Sequence, residues 1–238
     1  LAVSLVVWGA LSFGAVYPWA YWPLLVGSVA TGLLGMFMPG ARATPLNWPI
    51  ALALVALILA VVLQMVPVPR DVILGINPEA DAYLQQSDLA YALQMSTGEP
   101  VWHPLSIRPD RTLLGLAFLA AFGLLLLGTE RAFSVIPRGR FTGALVIFGV
   151  ILALIGIIQK GLMVDKPYGF WEPIDFGAFF PFGPFVNRNH FAGWMAMALP
   201  LALGHFGTLL ARGMPGVRPG WRNRLLWFST SAASAAVL

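Results

Sequence analysis

The sequence predicts an all-α, polytopic integral membrane protein, a bundle of long apolar helices, and three observations predict it. Hydrophobic residues make up 58% of the chain and charged residues only 10%, with a mean hydropathy of +0.79, whereas a soluble domain carries roughly a quarter charged residues. The apolar residues fall into blocks close to the length of a bilayer span. Arg residues gather in the short segments between those blocks, where they report topology. That placement, without an Arg stripe interleaved with aromatics, also argues against nucleic acid as a partner despite a pI near 9.9. Cys is absent, which removes disulfide frameworks, thiolate nucleophiles and Cys-ligated metals.

Taken in order, spans are expected at Leu1 to Val16, Leu24 to Met38, Trp48 to Val66, Thr112 to Gly128, Phe141 to Ile158 and Phe191 to Leu210. A seventh opens at Leu225. The first block lacks a charged n-region and leads straight into another apolar block, so it reads as a span and not as a signal peptide. The second is short and Gly-rich and is expected to reach back through Tyr21 and Trp22 or to sit in a thin, buried position. Leu1 is not a Met and Leu238 lies inside an apolar run, so both ends are expected to be cuts in a longer chain. No internal repeat stands out, and a single transmembrane unit over 1–238 is expected.

Sidedness follows from charge. If Arg42, then Arg131, Arg138 and Arg140, then Arg212, Arg218, Arg222 and Arg224 share one side, that side holds eight of the fourteen basic residues, and the positive-inside rule makes it cytoplasmic. The fragment then starts in the cytoplasm, and the long loops 67–111 and 159–190 face outward. In the first, Asn77-Pro78-Glu79 is a helix-start signal, with Asn as cap and Pro at the first turn. With Tyr83, Leu84, Tyr91, Leu93 and Met95 following, it predicts a helix lying on the membrane surface. The second loop carries Tyr168, Phe170, Trp171, Phe176, Phe179, Phe180, Phe182 and Phe185 among Pro167, Pro173, Pro181 and Pro184. It is too rich in Pro for a long helix and too aromatic to extend into water.

Several chemistries lack support. There is no P-loop, no His-Glu-x-x-His and no Gly-x-Ser-x-Gly elbow, nor an Asp-x-Asp pair to hold a metal against a nucleotide sugar; Glu79 and Asp81 come nearest. The dense polar constellation is Asn187-Arg188-Asn189-His190, just before the apolar run Phe191 to Leu210. Arg188 offers a planar fork of donors matched to phosphate, His190 exchanges a proton near neutral pH, and the amides of Asn187 and Asn189 bond sugar hydroxyls. The following helix start adds N–H groups and a favourable dipole. The same four residues also read as an interfacial cap, with Asn closing the helix and Arg and His reaching the headgroups. His103 with Arg108, Asp110 and Arg111 forms a second polar group, read as loop structure. His205 reads as a helix–helix hydrogen bond before a proton relay. Ala192, Gly193, Ala196 and Pro200 form a small-residue face that predicts close packing.

The run Pro184-Phe185-Val186-Asn187-Arg188-Asn189-His190-Phe191-Ala192-Gly193-Trp194, continuing to Leu199-Pro200-Leu201-Ala202-Leu203, resembles the signature of the O-antigen ligase and polymerase superfamily. Phe13-Gly14-Ala15-Val16-Tyr17-Pro18-Trp19-Ala20 and Pro104-Leu105-Ser106-Ile107-Arg108-Pro109-Asp110-Arg111-Thr112 are similar to its N-terminal half. The resemblance implies a GT-C-like fold of roughly a dozen helices in a bacterial inner membrane. It implies transfer or polymerisation of a glycan from an undecaprenyl diphosphate carrier at the periplasmic face, without cofactor, metal or nucleotide. Arg188 would contact the diphosphate, Asn187 and Asn189 would orient it, and His190 is the candidate for proton transfer. The acceptor and the choice between ligase and polymerase stay open. The family's usual catalytic Arg and His residues would lie beyond Leu238, so the chain is expected to be catalytically incomplete. Two rivals from other classes are a small-anion or sugar transporter, which needs ionisable groups near the midplane, and an envelope assembly subunit.

Overall fold

The computed structural model describes residues 1–41, 45–98, 100–164, 166–172 and 181–213. The seventh expected span, the basic residues Arg42, Arg218, Arg222 and Arg224, the side chain of Arg212, and Pro173, Phe176, Phe179 and Phe180 lie outside the described residues.

Helix α1 covers Ala2–Leu11 and α2 covers Pro18–Phe37, so the second apolar helix begins six residues before the expected Leu24. The reason is Pro18 at the first helical turn, where its missing N–H costs nothing and its fixed φ suits the helix. Between the two, the chain is not helical in the ordinary sense: Phe13, Gly14 and Ala15 have φ of 59°, 74° and 54°. This left-handed turn ends the first apolar block at Leu11, short of the expected Val16, although every residue of the block is apolar or small.

Helix α3, Trp48–Gln64, is capped by Asn47, whose side chain accepts from the Ile50 N–H. Helices α7, Pro109–Ala132, and α8, Arg138–Gly161, follow later in the chain, and α9, Arg188–Gly213, closes the described bundle. Four of these, α2, α7, α8 and α9, are long and apolar enough to cross a membrane, and α1 and α3 are shorter apolar helices. At 1.5 Å per residue α3 is about 26 Å long, a little under the ~30 Å hydrocarbon core.

Packing directions follow from the contacts. Helices α2 and α7 run parallel and form the most extensive helix pair: Tyr21 meets Phe118, and Gly35 meets Gly128. A Cβ built on Gly35 would lie 2.2 Å from the carbonyl oxygen of Gly128, and one on Gly128 would lie 2.1 Å from that of Gly32. The two backbones therefore touch, an approach that only glycine allows. Helix α1 runs antiparallel to α2, with Leu5 against Gly27 and the Trp8 indole N–H donating to the Ala20 carbonyl at 2.9 Å. Helix α3 runs antiparallel to α7. The Asn47 amide donates to Glu130 at one end, at 2.9 Å, and the Ser106 N–H donates to the Gln64 carbonyl at the other, at 3.0 Å. Helices α8 and α9 are antiparallel, with Thr142 and His205 paired at 3.2 Å and Phe148 edge-on to Trp194.

The outer faces are apolar. On α8, Ile147, Val150, Ile151, Leu154, Ile157 and Ile158 are all exposed, at the i, i+3, i+4 spacing of a single stripe. A soluble protein does not leave such a stripe uncovered, and hydrocarbon is its natural solvent. The expected close packing of Ala192, Gly193 and Ala196 is not made among the described residues. That face of α9 is exposed, and a Cβ on Gly193 would meet nothing within 4 Å, because α8 packs on the Trp194 and Ala198 side instead.

One end of the bundle carries a small cap, not a lone surface helix. Strands β1, Pro67–Pro69, and β2, Trp102–Pro104, pair antiparallel and tie the end of α3 to the start of α7. Between them run α4 (Arg70–Ile76), α5 (Pro78–Ser87) and α6 (Leu89–Thr97). Asn77 caps α5 by accepting from the Ala80 N–H, and Asp88 caps α6 by accepting from Ala90 and Tyr91. Leu84, Tyr91 and Val101 turn inward with Met95 as the cap's own core. The expectation of one helix spread on the membrane fails for Leu84 and Tyr91, because the ribbon brings three helices together and buries them.

Candidate functional site

The start of α9 is built on a tight turn. Phe182 and Phe185 exchange backbone hydrogen bonds of 3.2 and 3.3 Å, with Gly183 at φ +60° and Pro184 fully buried between them. The turn sends its two rings in different directions. Phe182 presses on Gly156 of α8, and Phe185 presses on Gly14 of the left-handed turn. Both pack on Phe191, with ring centroids 4.7 and 5.9 Å away. Together with Ala10, Phe148 and Leu152, these residues form the central core.

The Asn187–His190 run is mounted directly on that core. Asn187 is the cap of α9: its side-chain oxygen accepts from the Asn189 N–H at 2.8 Å, and its carbonyl accepts from the His190 and Phe191 N–H groups. Arg188, Asn189 and His190 form the first turn of the helix, and all four residues are exposed. At about 100° per residue, Arg188 and His190 leave the axis about 200° apart. The first turn thus presents a cation and an imidazole on different sides, without drawing them onto one point. Asn187 is engaged in capping through its oxygen and keeps its amide N–H groups as donors.

Beside this turn lies an aromatic assembly that the sequence only partly indicated. Phe13 is its hub. It stacks on Trp171 with centroids 4.6 Å apart and meets Tyr17, Trp19 and Tyr168 edge-on at 6.0, 6.1 and 5.4 Å. Tyr17 and Trp19 stack with their planes nearly parallel, 10° apart, and Tyr168 stacks on Phe170. The Tyr168 hydroxyl donates to the Leu11 carbonyl at 2.5 Å, satisfying the end of α1. Val186, one residue before the Asn187 cap, packs into the same cluster. Aromatic content in both segments was visible in the sequence; the left-handed turn that joins them was not, since Phe and Ala rarely adopt such a backbone.

The other polar groups separate. Arg108 and Asp110 pair at 3.3 Å, and Arg111 lies 3.5 Å from Asp110 at the start of α7. His103 turns away from them, edge-on to Tyr91, donating from Nδ1 to the Pro104 carbonyl at 2.7 Å and placing Nε2 3.7 Å from Asp88. Asp81 is buried inside the cap and accepts two 2.7 Å hydrogen bonds from Arg70, with further donors in Tyr91 and Gln85, each at 2.6 Å. Hydrogen bonds from Arg70 hold its carboxyl well below the usual carboxylate range, against the opposing effect of burial. Exposed Glu79 does not share this site. The Arg70–Asp81 pair escaped sequence reading because nothing in the spacing of residues 70 and 81 identifies partners across a helix turn. Within the apolar helices, His205 is bonded to Thr142 across α8 and α9, the helix–helix contact its position predicted.

Fold and site define a helical membrane protein: its described helices include four long and apolar enough to cross a bilayer, and a polar helix start and an aromatic cluster share the end that also carries the cap. No family model, curated protein or solved structure matches the chain.

Proposed function

We propose that the chain is the membrane-embedded part of a glycan transferase of O-antigen ligase or polymerase type, with a GT-C-like fold, seated in a bacterial inner membrane. In this reading the cap and the start of α9 face the periplasm, and the glycan donor is linked to undecaprenyl diphosphate. Arg188 provides fixed positive charge for the diphosphate as the carrier leaves. Asn187 and Asn189 orient the donor through their amides, and His190 is the candidate for proton transfer.

The observation that carries the reading is the junction of Gly14 with Phe185. Two stretches similar to the superfamily, remote in sequence, meet there, with the exposed Arg188 following Phe185 in the chain. The third stretch begins α7 at the same end, where Arg108 and Arg111 are exposed. The transporter reading draws less support, since among the described apolar helices the one ionisable side chain away from the helix ends is His205, already bonded to Thr142.

The test is glycan transfer in a host whose gene for this protein is deleted, complemented with wild type, Arg188→Ala or His190→Ala, with membrane levels followed by immunoblot. Loss of ligated or polymerised glycan in the deletion, with rescue by wild type and none by a normally expressed Arg188→Ala, is the expected result. Unchanged surface glycans in the deletion would remove the transferase reading, and full rescue by both variants would return the Asn187–His190 run to an interfacial cap.

A further inference from the structure

We infer that the aromatic assembly next to α9 is a sugar-stacking platform, on which the hexopyranose units of the donor glycan lie against Trp19, Tyr168 and Phe170. The inference rests on the glycan-transfer reading and assigns the sugar contacts, which that reading leaves open.

Burial within the assembly is graded. Phe13 and Tyr17 are 6% and 9% exposed and form its floor, whereas Tyr168, Trp19 and Phe170 are 37%, 47% and 73% exposed and are the rings it offers outward. The rings are held in place. The Trp171 indole N–H donates to the Tyr17 hydroxyl, and Tyr168 donates to the end of α1.

The backbone beneath is strained to achieve this. Among the described residues four non-glycine positions have positive φ, and three of them, Phe13, Ala15 and Tyr168, belong to this assembly or pack on it. Strain of this kind persists where the arrangement it produces is over-determined by its surroundings.

An interfacial aromatic belt needs rings at headgroup depth, but it needs neither mutual stacking nor a left-handed turn to align them. An acyl chain needs apolar volume without fixed ring planes. A hexopyranose needs both features seen here. One face of its ring is a row of C–H groups, whose positive edge complements the negative face of an aromatic ring. Its hydroxyls need polar partners at the rim, where Lys166 and Glu172 form an exposed ion pair. Val186 packs against the floor two residues before Arg188, so the platform adjoins the position proposed for the diphosphate to which the first sugar is bonded.

The test uses the full-length protein in nanodiscs of phosphatidylethanolamine and phosphatidylglycerol, with two probes: undecaprenyl diphosphate, and the same carrier bearing one N-acetylglucosamine. Phe170→Ala and Trp19→Ala are expected to weaken the sugar-bearing probe by about tenfold and to bind the bare carrier as wild type does, while Phe170→Trp binds both normally. Wild-type affinity of both alanine variants for the sugar-bearing probe would overturn the platform. Equal loss of both probes would also overturn it, as the signature of a lipid contact. Wild type binding neither probe would overturn the platform and the transferase reading together. If the platform variants lose the sugar while Arg188→Ala still binds the bare carrier normally, the platform stands and the proposed diphosphate contact fails.

Discussion

The ring of Phe185 sits on the backbone of Gly14, so closely that a methyl group on Gly14 would lie 3.1 Å from Cδ1 of Phe185. Gly14 also holds φ +74° at the centre of the left-handed turn. Gly14→Ala therefore meets two penalties at once, the left-handed backbone of about 1–2 kcal/mol and a contact that pushes on the core ring. A lowered thermal unfolding midpoint in detergent is expected for Gly14→Ala, and a larger drop, about 3–5 kcal/mol, for Phe185→Ala. An unchanged midpoint in Gly14→Ala would show that the turn and the core are not coupled.

The α2–α7 contact makes a second prediction. With Gly35 and Gly128 in backbone contact, Gly35→Leu must force the helices apart. The chain has no Cys, so Tyr21→Cys with Phe118→Cys, at positions whose rings lie 5.6 Å apart, gives a clean cross-linking pair for a short bismaleimide. Efficient cross-linking in the parent and its loss on adding Gly35→Leu are expected. Persistence of the cross-link in the Leu variant would mean that the helices do not separate.

The cap should respond to acid. Asp81 is ionised and bonded to Arg70 in the folded cap, and its pKa is depressed. The stability it contributes is present above its unfolded pKa of roughly 3.9 and is lost as pH falls below that value toward the folded pKa. Limited proteolysis of the 67–108 segment should therefore accelerate below about pH 4. Removing the carboxylate with Asp81→Ala should cost about 2–3 kcal/mol, less than a fully buried pair because Arg70 is one-third exposed, and should flatten the acid response.

Alkali acts on the same cap from the other side. Burial, together with the hydrogen bond to Asp81, pushes the Tyr91 hydroxyl up to about 12. Its contribution is complete below the unfolded value of roughly 10 and is lost as pH rises from there through the folded value. Proteolysis that rises again above about pH 10 in the parent, and not in Tyr91→Phe, is the expected outcome.

At the start of α9 the two asparagines differ. Asn187 supplies the cap oxygen to the Asn189 N–H, so Asn187→Ala should cost about 1 kcal/mol, while Asn187→Ser restores most of it. No cap bond depends on the Asn189 side chain among the contacts described, so Asn189→Ala should leave the unfolding midpoint within experimental error. Equal destabilisation by both alanine variants would contradict the capping assignment.

Much of the architecture follows from local rules that need no neighbours. Long apolar blocks become helices because lipid leaves the backbone no other hydrogen-bond partners, and Asn77-Pro78 and Asn187-Arg188 start helices because their side chains or rings suit the first turn. The same locality made Asn187 to His190 visible as a polar helix start. It could not reveal that Arg188 and His190 diverge, which depends on where the helix begins. Nor could it assign Asp81 to Arg70, since a buried ion pair is defined by the ribbon that folds the cap over itself.

The amino-acid sequence by itself determined the apolar surroundings of this protein, the order of the six apolar helices among the described residues, and the polar residues that cap α5 and α9, because these depend on hydropathy and on backbone groups within a few residues. Only the tertiary structure decided that the first block stops at a left-handed turn, that Phe13 gathers Tyr168 and Trp171 around it, and that Phe185 locks onto Gly14. Those outcomes require contacts between segments more than 150 residues apart in sequence, whose packing outweighs the local preference of Phe13 and Ala15 for a right-handed backbone.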